Sequence, residues 1–232
     1  MGRRIRPSLI VGVALSLTLA ACGGGGGGAT TGGTAGAGSS ASASSDGPLT
    51  SVTVGVLPIV DTAPIWLGVK RGIFADHGLD VHLKVAQGGA AVVPAVVSGD
   101  YEFGFSNLVS LVIAADQGLP LTLLAPANST TGDPRADFAG IVVPRDSGIT
   151  RPADLAGKTV AVNTLANIGE VTVKNVVEKD GGNPDSVHFV ELGFPDMPAA
   201  LAKGEIDAAW ILEPFLTITK QQGARSISAP YA

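Results

Sequence analysis

Two stretches of this chain repeat one pattern, and this repeat constrains the fold more than any other feature. Residues 95–105 and 200–210 each contain two apolar residues, a glycine, an acid, an apolar residue and a second acid before an apolar run. The glycines are Gly99 and Gly204, 105 positions apart (204 − 99). The pattern predicts an amphipathic helix that ends at glycine, a tight acidic turn and a short strand that enters a core.

Two further stretches recur in the same order. Residues 81–83 (Val-His-Leu) match 187–189 (Val-His-Phe), and residues 53–56 match 159–162, both 106 positions apart (187 − 81). Because three matches keep their order and spacing, the sequence predicts two similarly built lobes. A cleft is expected between them.

The elements between these matches alternate between strand and helix. Strands are predicted at 51–59, 79–85, 101–105 and 121–125 in lobe one (residues 48–137), and at 139–143 and 159–162 in lobe two (residues 138–232). A helix is predicted at 167–180. This alternation indicates an α/β fold in which each lobe is a doubly wound, mainly parallel sheet, with ligands bound beyond the carboxyl ends of the strands.

The N-terminal residues have the pattern of an export signal. Three arginines precede an apolar run at 9–20 that is short for a membrane span. Leu19-Ala20-Ala21-Cys22 follows and resembles the lipobox of bacterial lipoproteins. The resemblance implies a signal peptide at 1–21 and a lipid on Cys22, which would anchor the protein to the outside of the cell membrane; the alternative is an unrelated buried cysteine.

Composition limits the remaining possibilities. Residues 22–47 are almost entirely Gly, Ser, Ala and Thr, which predicts a flexible tether and not a phosphate-binding loop. The net charge of −5 disfavours nucleic acid as a partner. The chain has one cysteine, and its three histidines fit no metal motif, so we predict neither a metal nor a cofactor.

Three loops of lobe one precede predicted helices at the carboxyl ends of strands. They contain Asp61-Thr62, Gly88-Gly89-Ala90 and Ser106-Asn107. The first N–H groups of a helix have no partner within it, so these loops suit an anionic ligand. The alternative is that the polar side chains only cap their helices.

The assembled motifs resemble one family, the substrate-binding lipoproteins of ABC importers of the nitrate, sulfonate and taurine type. The resemblance covers nearly all of residues 50–230 and lies in Lys70 to Phe74, Gly78 to Val81, Ser98 to Asp100, Asp116 to Pro120, Asp154 to Val160, Gly204 to Ala208 and Glu213 to Phe215. It implies a two-lobed periplasmic-binding fold (type II), a small-molecule ligand, ABC permease partners, a monomer and no enzymatic chemistry.

The resemblance also implies a set of ligand-binding residues. They are Asp61, Thr62, Trp66, Gly89, Ala90, Ser106, Asn107, Asn163, Thr164, Asn167 and Glu213. Helix N-termini suit a sulfonate or nitrate, whereas the two acids would also suit the amine of taurine or an aminopyrimidine. For Glu213 the alternative is a cap on the following helix, and Trp210 is expected in the core.

The sequence alone leaves other functions open. The acid pairs Asp100/Glu102 and Glu205/Asp207 resemble general acids, but their place at strand starts favours solvated turn acids. Members of the family continue beyond the second lobe, so the resemblance implies that the return to lobe one is missing or shortened here. A non-transport sensor or an inactive fragment of the same fold is the alternative function.

Overall fold

The computed structural model describes residues 47–232. The predicted signal peptide, the lipidated Cys22 and the tether up to residue 46 lie outside the described residues. Within residues 47–232, no helix is long and apolar enough to cross a membrane.

The first lobe is built on a three-stranded parallel sheet with strand order β2-β1-β3. Four helices connect or follow these strands, and the first two are separated at Gly72, whose φ is 74°. The elements are β1 (Thr50–Val56), α1 (Ala63–Lys70), α2 (Ile73–Asp76), β2 (Leu79–Val85), α3 (Gly89–Ser98), β3 (Phe103–Gly104) and α4 (Leu108–Asp116).

The second lobe contains a five-stranded mixed sheet with strand order β6-β5-β7-β4-β8. Strand β4 runs antiparallel to β7 and β8, whereas β5 runs parallel to β6 and β7. The elements are β4 (Ala139–Pro144), β5 (Thr159–Val162), α5 (Ile168–Lys179), β6 (His188–Glu191), α6 (Met197–Lys203), β7 (Ala208–Leu212), α7 (Phe215–Gln221) and β8 (Ala224–Ser228). The predicted boundary between residues 137 and 138 stays a prediction.

The sheet registers confirm the internal repeat. Thr53 lies opposite His82 in the first sheet, and Thr159 lies opposite His188 in the second. These are the positions that the sequence match pairs at a distance of 106 residues (159 − 53 and 188 − 82). The two lobes therefore share a β-α-β unit in the same register.

The repeated glycines end their helices in the same way. Gly99 and Gly204 have φ values of 82° and 72°, a left-handed conformation that glycine adopts without steric cost. In both copies the next residue donates its backbone N–H to the carbonyl five residues earlier, at 2.9 Å from Asp100 and 3.0 Å from Glu205. The glycines thus aim the chain into the following strand.

The second acid of each turn has a structural partner that the sequence did not reveal. A carboxylate oxygen of Glu102 accepts the backbone N–H of Thr53 at 2.6 Å, and one of Asp207 accepts that of Thr159 at 2.8 Å. Both acids tie the turn before the third strand of the unit to its first strand. They are structural acceptors and not the merely solvated turn acids that the sequence favoured.

We expect Asp207→Ala to lower the free energy of unfolding by about 1.5–3 kcal/mol, because a hydrogen bond to a charged acceptor is lost and a strand N–H is left without it. Urea denaturation monitored by circular dichroism measures this change. Glu205→Ala is the matched control, since Glu205 is exposed and only 3.8 Å from Lys203 in a surface ion pair. Equal effects of the two substitutions would contradict the structural role of Asp207.

The predicted strand at 121–125 is wrong. These residues adopt no regular structure, and the side chains of Leu123 and Leu124 are 66% and 68% exposed. Strand β3, predicted at 101–105, pairs with β1 through Phe103 and Gly104. The flanking N–H groups of Glu102 and Phe105 donate to the backbone oxygens of Thr53 and Gly55 at 3.1 and 2.8 Å. So short a strand offers few backbone groups to a further neighbouring strand. The apolar side chains at 121–125 resemble a strand pattern, but these residues pair with no strand in the described part of the chain.

Candidate functional site

The loop after β2 contacts residues from both lobes. A Cβ atom added to Gly88 would lie 2.4 Å from Oγ1 of Thr164 and 2.7 Å from Nδ2 of Asn163, which follow β5. A Cβ atom on Gly89 would lie 2.5 Å from Oγ of Ser106, which follows β3. The carboxyl ends of strands from both sheets therefore meet at this loop, as the sequence predicted for the cleft.

Two asparagines of the second lobe form hydrogen bonds to the first. Nδ2 of Asn163 donates to the backbone oxygen of Gln87 at 3.3 Å. Nδ2 of Asn167 donates to Oγ of Ser110 in α4 at 3.0 Å, and both residues are buried. The two lobes are thus in direct polar contact across the junction.

The N-termini of three helices converge here. Asn107 caps α4 by accepting the N–H of Ser110 at 3.0 Å, and Asn167 caps α5 by accepting the N–H of Ile168 at 2.8 Å. Helix α3 begins beside them with Gly88 at its N-cap and no side-chain cap. Helix N-termini carry partial positive charge and N–H groups without intrahelical partners, so their convergence favours an anionic or strongly accepting ligand group.

The predicted site residues Ala90, Ser106 and Thr164 lie within or beside this junction. Ala90 is in the first turn of α3, and Thr164 is half-buried next to Asn163. The Oγ atom of Ser106 is buried and has no hydrogen-bond partner within residues 47–232. A buried hydroxyl usually has a partner, so Ser106 offers a free donor and acceptor at the junction.

Asp61 is the most unusual predicted residue. It is only 8% exposed, one carboxylate oxygen accepts a hydrogen bond from Asn128, and the other, Oδ2, is buried without a partner within the described part of the chain. Burial raises the pKa of the Asp61 carboxyl, and the hydrogen bond from Asn128 acts in the opposite direction. Asn128 could not be predicted from the sequence, because a polar loop residue carries no signal of a partner 67 positions away.

Thr62 does not cap α1, contrary to one alternative from the sequence. Its hydroxyl donates to the backbone oxygen of Leu57 at 2.6 Å, which fixes the loop between β1 and α1. The neighbouring Asp61 forms no cap there either. Thr62 is fully buried and positions this loop, and its contact with a ligand stays a prediction.

Glu213 caps helix α7, as the alternative interpretation held. Its two carboxylate oxygens accept the backbone N–H and the hydroxyl of Thr217, at 3.0 and 2.8 Å. The backbone oxygen of Glu213 accepts the N–H of Val60 at 2.9 Å, which adds a third contact between the lobes. An open, mainly apolar hollow of about 490 Å³ lies at this contact and is lined by Ile59, Val60, Ala63, Glu213, Pro214, Thr217 and Ile218.

The two tryptophans differ in their surroundings. Trp66 lies on α1 and is 42% exposed. Trp210 is 1% exposed in the centre of β7, and its ring lies 5.8 Å from that of Phe194 and 6.0 Å from that of Tyr231. The prediction that Trp210 belongs to the core is confirmed, whereas Trp66 as a ligand residue stays a prediction.

Solved structures with the same architecture define the class of fold. An alkanesulfonate-binding protein of Xanthomonas axonopodis pv. citri bound to MOPS superposes with a TM-score of 0.62 at 20% identity, covering 78% of this chain and 61% of that one. The periplasmic nitrate-binding protein of Synechocystis PCC 6803 gives 0.62 at 17% identity, covering 77% of this chain and 51% of that one. The fold is the two-lobed periplasmic-binding-protein fold.

The family follows from the sequence. Residues 60–228 match the family described as NMT1/THI5 like, and the chain belongs to that family.

Characterised relatives have more than one activity. The taurine-binding periplasmic protein of Escherichia coli K12 is 29% identical over 174 residues, which are 75% of this chain and 52% of that protein. The formylaminopyrimidine-binding protein of Halalkalibacterium halodurans is 25% identical over 62% of this chain and 41% of its own length. A 4-amino-5-hydroxymethyl-2-methylpyrimidine phosphate synthase of Aspergillus parasiticus is 28% identical over 65% of this chain and 42% of its own length. The chain thus spans about half the length of the curated relatives it matches.

Proposed function

We propose that this protein is the solute-binding component of an ABC importer and captures a small sulfonate-, nitrate- or taurine-type ligand between its lobes. The observation that carries the proposal is the convergence of the N-termini of α3, α4 and α5 at the contact between the lobes. Backbone N–H groups at such termini bind oxyanions without needing a positively charged side chain. The taurine-binding relative and the sulfonate- and nitrate-binding structures support the same class of ligand.

We also propose that the protein works outside the cytoplasm together with an ABC permease. Export by the residues at 1–21 and a lipid on Cys22 would hold the protein outside the cytoplasm at the membrane, next to the permease that receives the ligand. The periplasmic names of two relatives support an extracytoplasmic location. We propose that it acts there as a monomer.

We further propose that the protein binds its ligand without converting it. One acid of each pair that resembles a catalytic pair already accepts a backbone hydrogen bond. The carboxylates of Glu102 and Asp207 accept the N–H groups of Thr53 and Thr159. His82 and His188 occupy equivalent positions in β2 and β6, which favours a structural role for both over a catalytic one. The alternative ligand is a pyrimidine, as in the formylaminopyrimidine-binding relative, because the free oxygen of Asp61 suits a ring amine.

A thermal-shift screen of the full chain tests the proposal. The compounds are taurine, ethanesulfonate, nitrate and 4-amino-5-hydroxymethyl-2-methylpyrimidine. A ligand that binds only the folded state stabilises it by about 2.7 kcal/mol at 100 times its dissociation constant, so we expect a dose-dependent rise in melting temperature for at least one compound. A cooperative melt that none of the compounds shifts would contradict the proposed ligand classes.

Two asparagines at the junction are expected to behave differently. Asn107→Ala removes the cap of α4 and should lower the free energy of unfolding by about 1 kcal/mol. Asn163→Ala removes two long hydrogen bonds from Nδ2, to the backbone oxygen of Gln87 at 3.3 Å and to Oγ1 of Thr164 at 3.4 Å, so it should weaken binding of the compound found in the screen while lowering the free energy of unfolding by no more than about 1.5 kcal/mol. Chemical denaturation and calorimetric titration measure the two effects. A stability loss for Asn163→Ala with unchanged affinity would remove Asn163 from the site.

A further inference from the structure

The loop after β2 reaches the second lobe through a side chain as well as through its backbone. A Cβ atom added to Gly193 would lie 3.1 Å from Nε2 and 3.6 Å from Cδ of Gln87. The amide of Gln87 therefore occupies the space over Gly193 in which a larger residue would place its own side chain. Gly193 is buried and Gln87 is exposed, so this contact lies at the rim of the junction between the lobes.

The second lobe holds the same residue at another point. Nδ2 of Asn163 donates to the backbone oxygen of Gln87 at 3.3 Å. Asn163 follows β5 and Gly193 follows β6, and these two strands are neighbours in the second sheet. Gln87 thus contacts the residues that follow two adjacent strands of the opposite lobe.

The internal repeat explains why this side chain fits. Gln87 and Gly193 are 106 positions apart (193 − 87), the distance that relates the two lobes. The strands that precede them, β2 and β6, occupy equivalent places in the two sheets. Equivalent loops therefore meet at the junction, and the glycine in one loop leaves room for the glutamine in the other. Two larger side chains would compete for this space, since protein interiors are closely packed.

A carboxylate borders the same space. The Cβ atom added to Gly193 would also lie 3.3 Å from Oδ2 of Asp196. Asp196 is exposed and immediately precedes α6, and its side chain forms no capping hydrogen bond to that helix. A carboxylate accepts hydrogen bonds strongly and an amide Nε2 group donates them, so a small approach of the lobes would join Gln87 to Asp196.

The contact acts on the start of α3. Gln87 precedes Gly88, which is the N-cap of this helix. The first N–H groups of α3 belong to the convergence that carries the proposed function. A residue that fixes the loop before them can affect binding without touching the ligand, which distinguishes Gln87 from Gly89 and Ala90.

We infer that Gln87 is a positioning residue that couples the two lobes: its side chain, over Gly193 and beside Asp196, holds the N-terminus of α3 against the second lobe. The effect on ligand affinity rests on the proposed function, whereas the coupling between the lobes does not.

Hydrogen–deuterium exchange of the full chain without added compound tests the coupling. Gln87→Ala should accelerate exchange by at least about twofold in peptides that cover residues 190–197, because a contact made by the opposite lobe is lost. Lys84→Ala is the matched control, since Lys84 is an exposed long side chain of β2 and should leave these peptides unchanged. Acceleration confined to the first lobe would overturn the inference.

Two charged substitutions test the role of Asp196 in the same measurement. Gln87→Glu places a like charge beside Asp196 and should accelerate exchange at 190–197, whereas Gln87→Lys should not. Asp196→Asn should abolish the difference between the two variants. A difference that persists in the Asp196→Asn background would remove Asp196 from the contact.

Titration calorimetry with taurine and ethanesulfonate tests the effect on affinity. Gln87→Ala should weaken binding about two- to tenfold, as loss of one hydrogen bond predicts, with an unchanged urea midpoint of unfolding. Gly193→Ala should weaken it equally, because the new Cβ atom displaces the amide while the backbone there, which has no positive φ, tolerates alanine. The double variant should bind no more weakly than either single variant, since both changes remove one contact.

The outcomes separate this inference from the proposed function. Additive losses in the double variant, or full affinity in Gln87→Ala, would overturn the positioning role while the proposed function stands. Absence of binding by both compounds, together with accelerated exchange at 190–197 in Gln87→Ala, would overturn the sulfonate ligands while the coupling of the lobes by Gln87 stands.

Discussion

Trp210→Ala is expected to lower the free energy of unfolding by about 3–5 kcal/mol, the range for removing a large aromatic side chain from a packed core. Trp210 is 1% exposed in β7, which lies between β4 and β5 in the second sheet. Its ring packs against Phe194 and Tyr231 and also against Gly169, where an added Cβ atom would lie only 2.9 Å from it. The first turn of α5 at Gly169 and the rings of Phe194 and Tyr231 border the space that the ring leaves, so filling it would require these elements to move.

Urea denaturation monitored by circular dichroism measures this loss. Trp66→Ala is the matched control for removal of an indole, and it should cost less than about 1.5 kcal/mol because Trp66 is 42% exposed. Similar losses for the two variants would show that the second sheet is not the main core of this protein.

Gly88→Ala is expected to weaken ligand binding at least about tenfold while changing the stability of the unliganded protein by less than about 1 kcal/mol. The new Cβ atom would lie 2.4 Å from Thr164 and 2.7 Å from Asn163, both on the opposite lobe. The backbone itself tolerates alanine, since Gly88 has an extended conformation with φ of −166°. The clash therefore acts on the approach of the lobes and not on the folding of either one.

The compound identified in the thermal-shift screen serves as the probe for this variant in calorimetric titration. Gly148→Ala is the matched control, because an added Cβ atom there meets nothing within 4 Å. Unchanged affinity in Gly88→Ala would mean that the lobes do not approach each other in this way when the ligand is bound.

The sequence predicted the fold through features that are local and repeated. The glycine at each helix end, the acid after it and the apolar strand that follows lie within eleven residues, so one stretch of chain carries the whole signal. The second copy then predicted two similarly built lobes, and the registers of Thr53 with His82 and Thr159 with His188 match that repeat. Helix α5 was predicted for the same reason, because Asn167 marks its start.

What the sequence missed depends on contacts between distant residues. The partners of Asp61 and Asp207 lie 67 and 48 positions away, and no local pattern identifies them. The strand expected at 121–125 failed because a strand requires a neighbour as well as apolar side chains. Glu213 was open to two interpretations, and its contacts with Thr217 confirm the cap, while its contact with a ligand stays a prediction.

Hydrogen–deuterium exchange of the full chain, with and without the compound that the screen identifies, tests the central claim that a small solute binds between the lobes. Backbone N–H groups that bind a ligand exchange more slowly. We predict slower exchange in peptides that cover the first turns of α3, α4 and α5, on both lobes at once. Protection confined to one lobe, or located instead at the outer groove beside Arg145, Lys203 and Gln222, would contradict the claim.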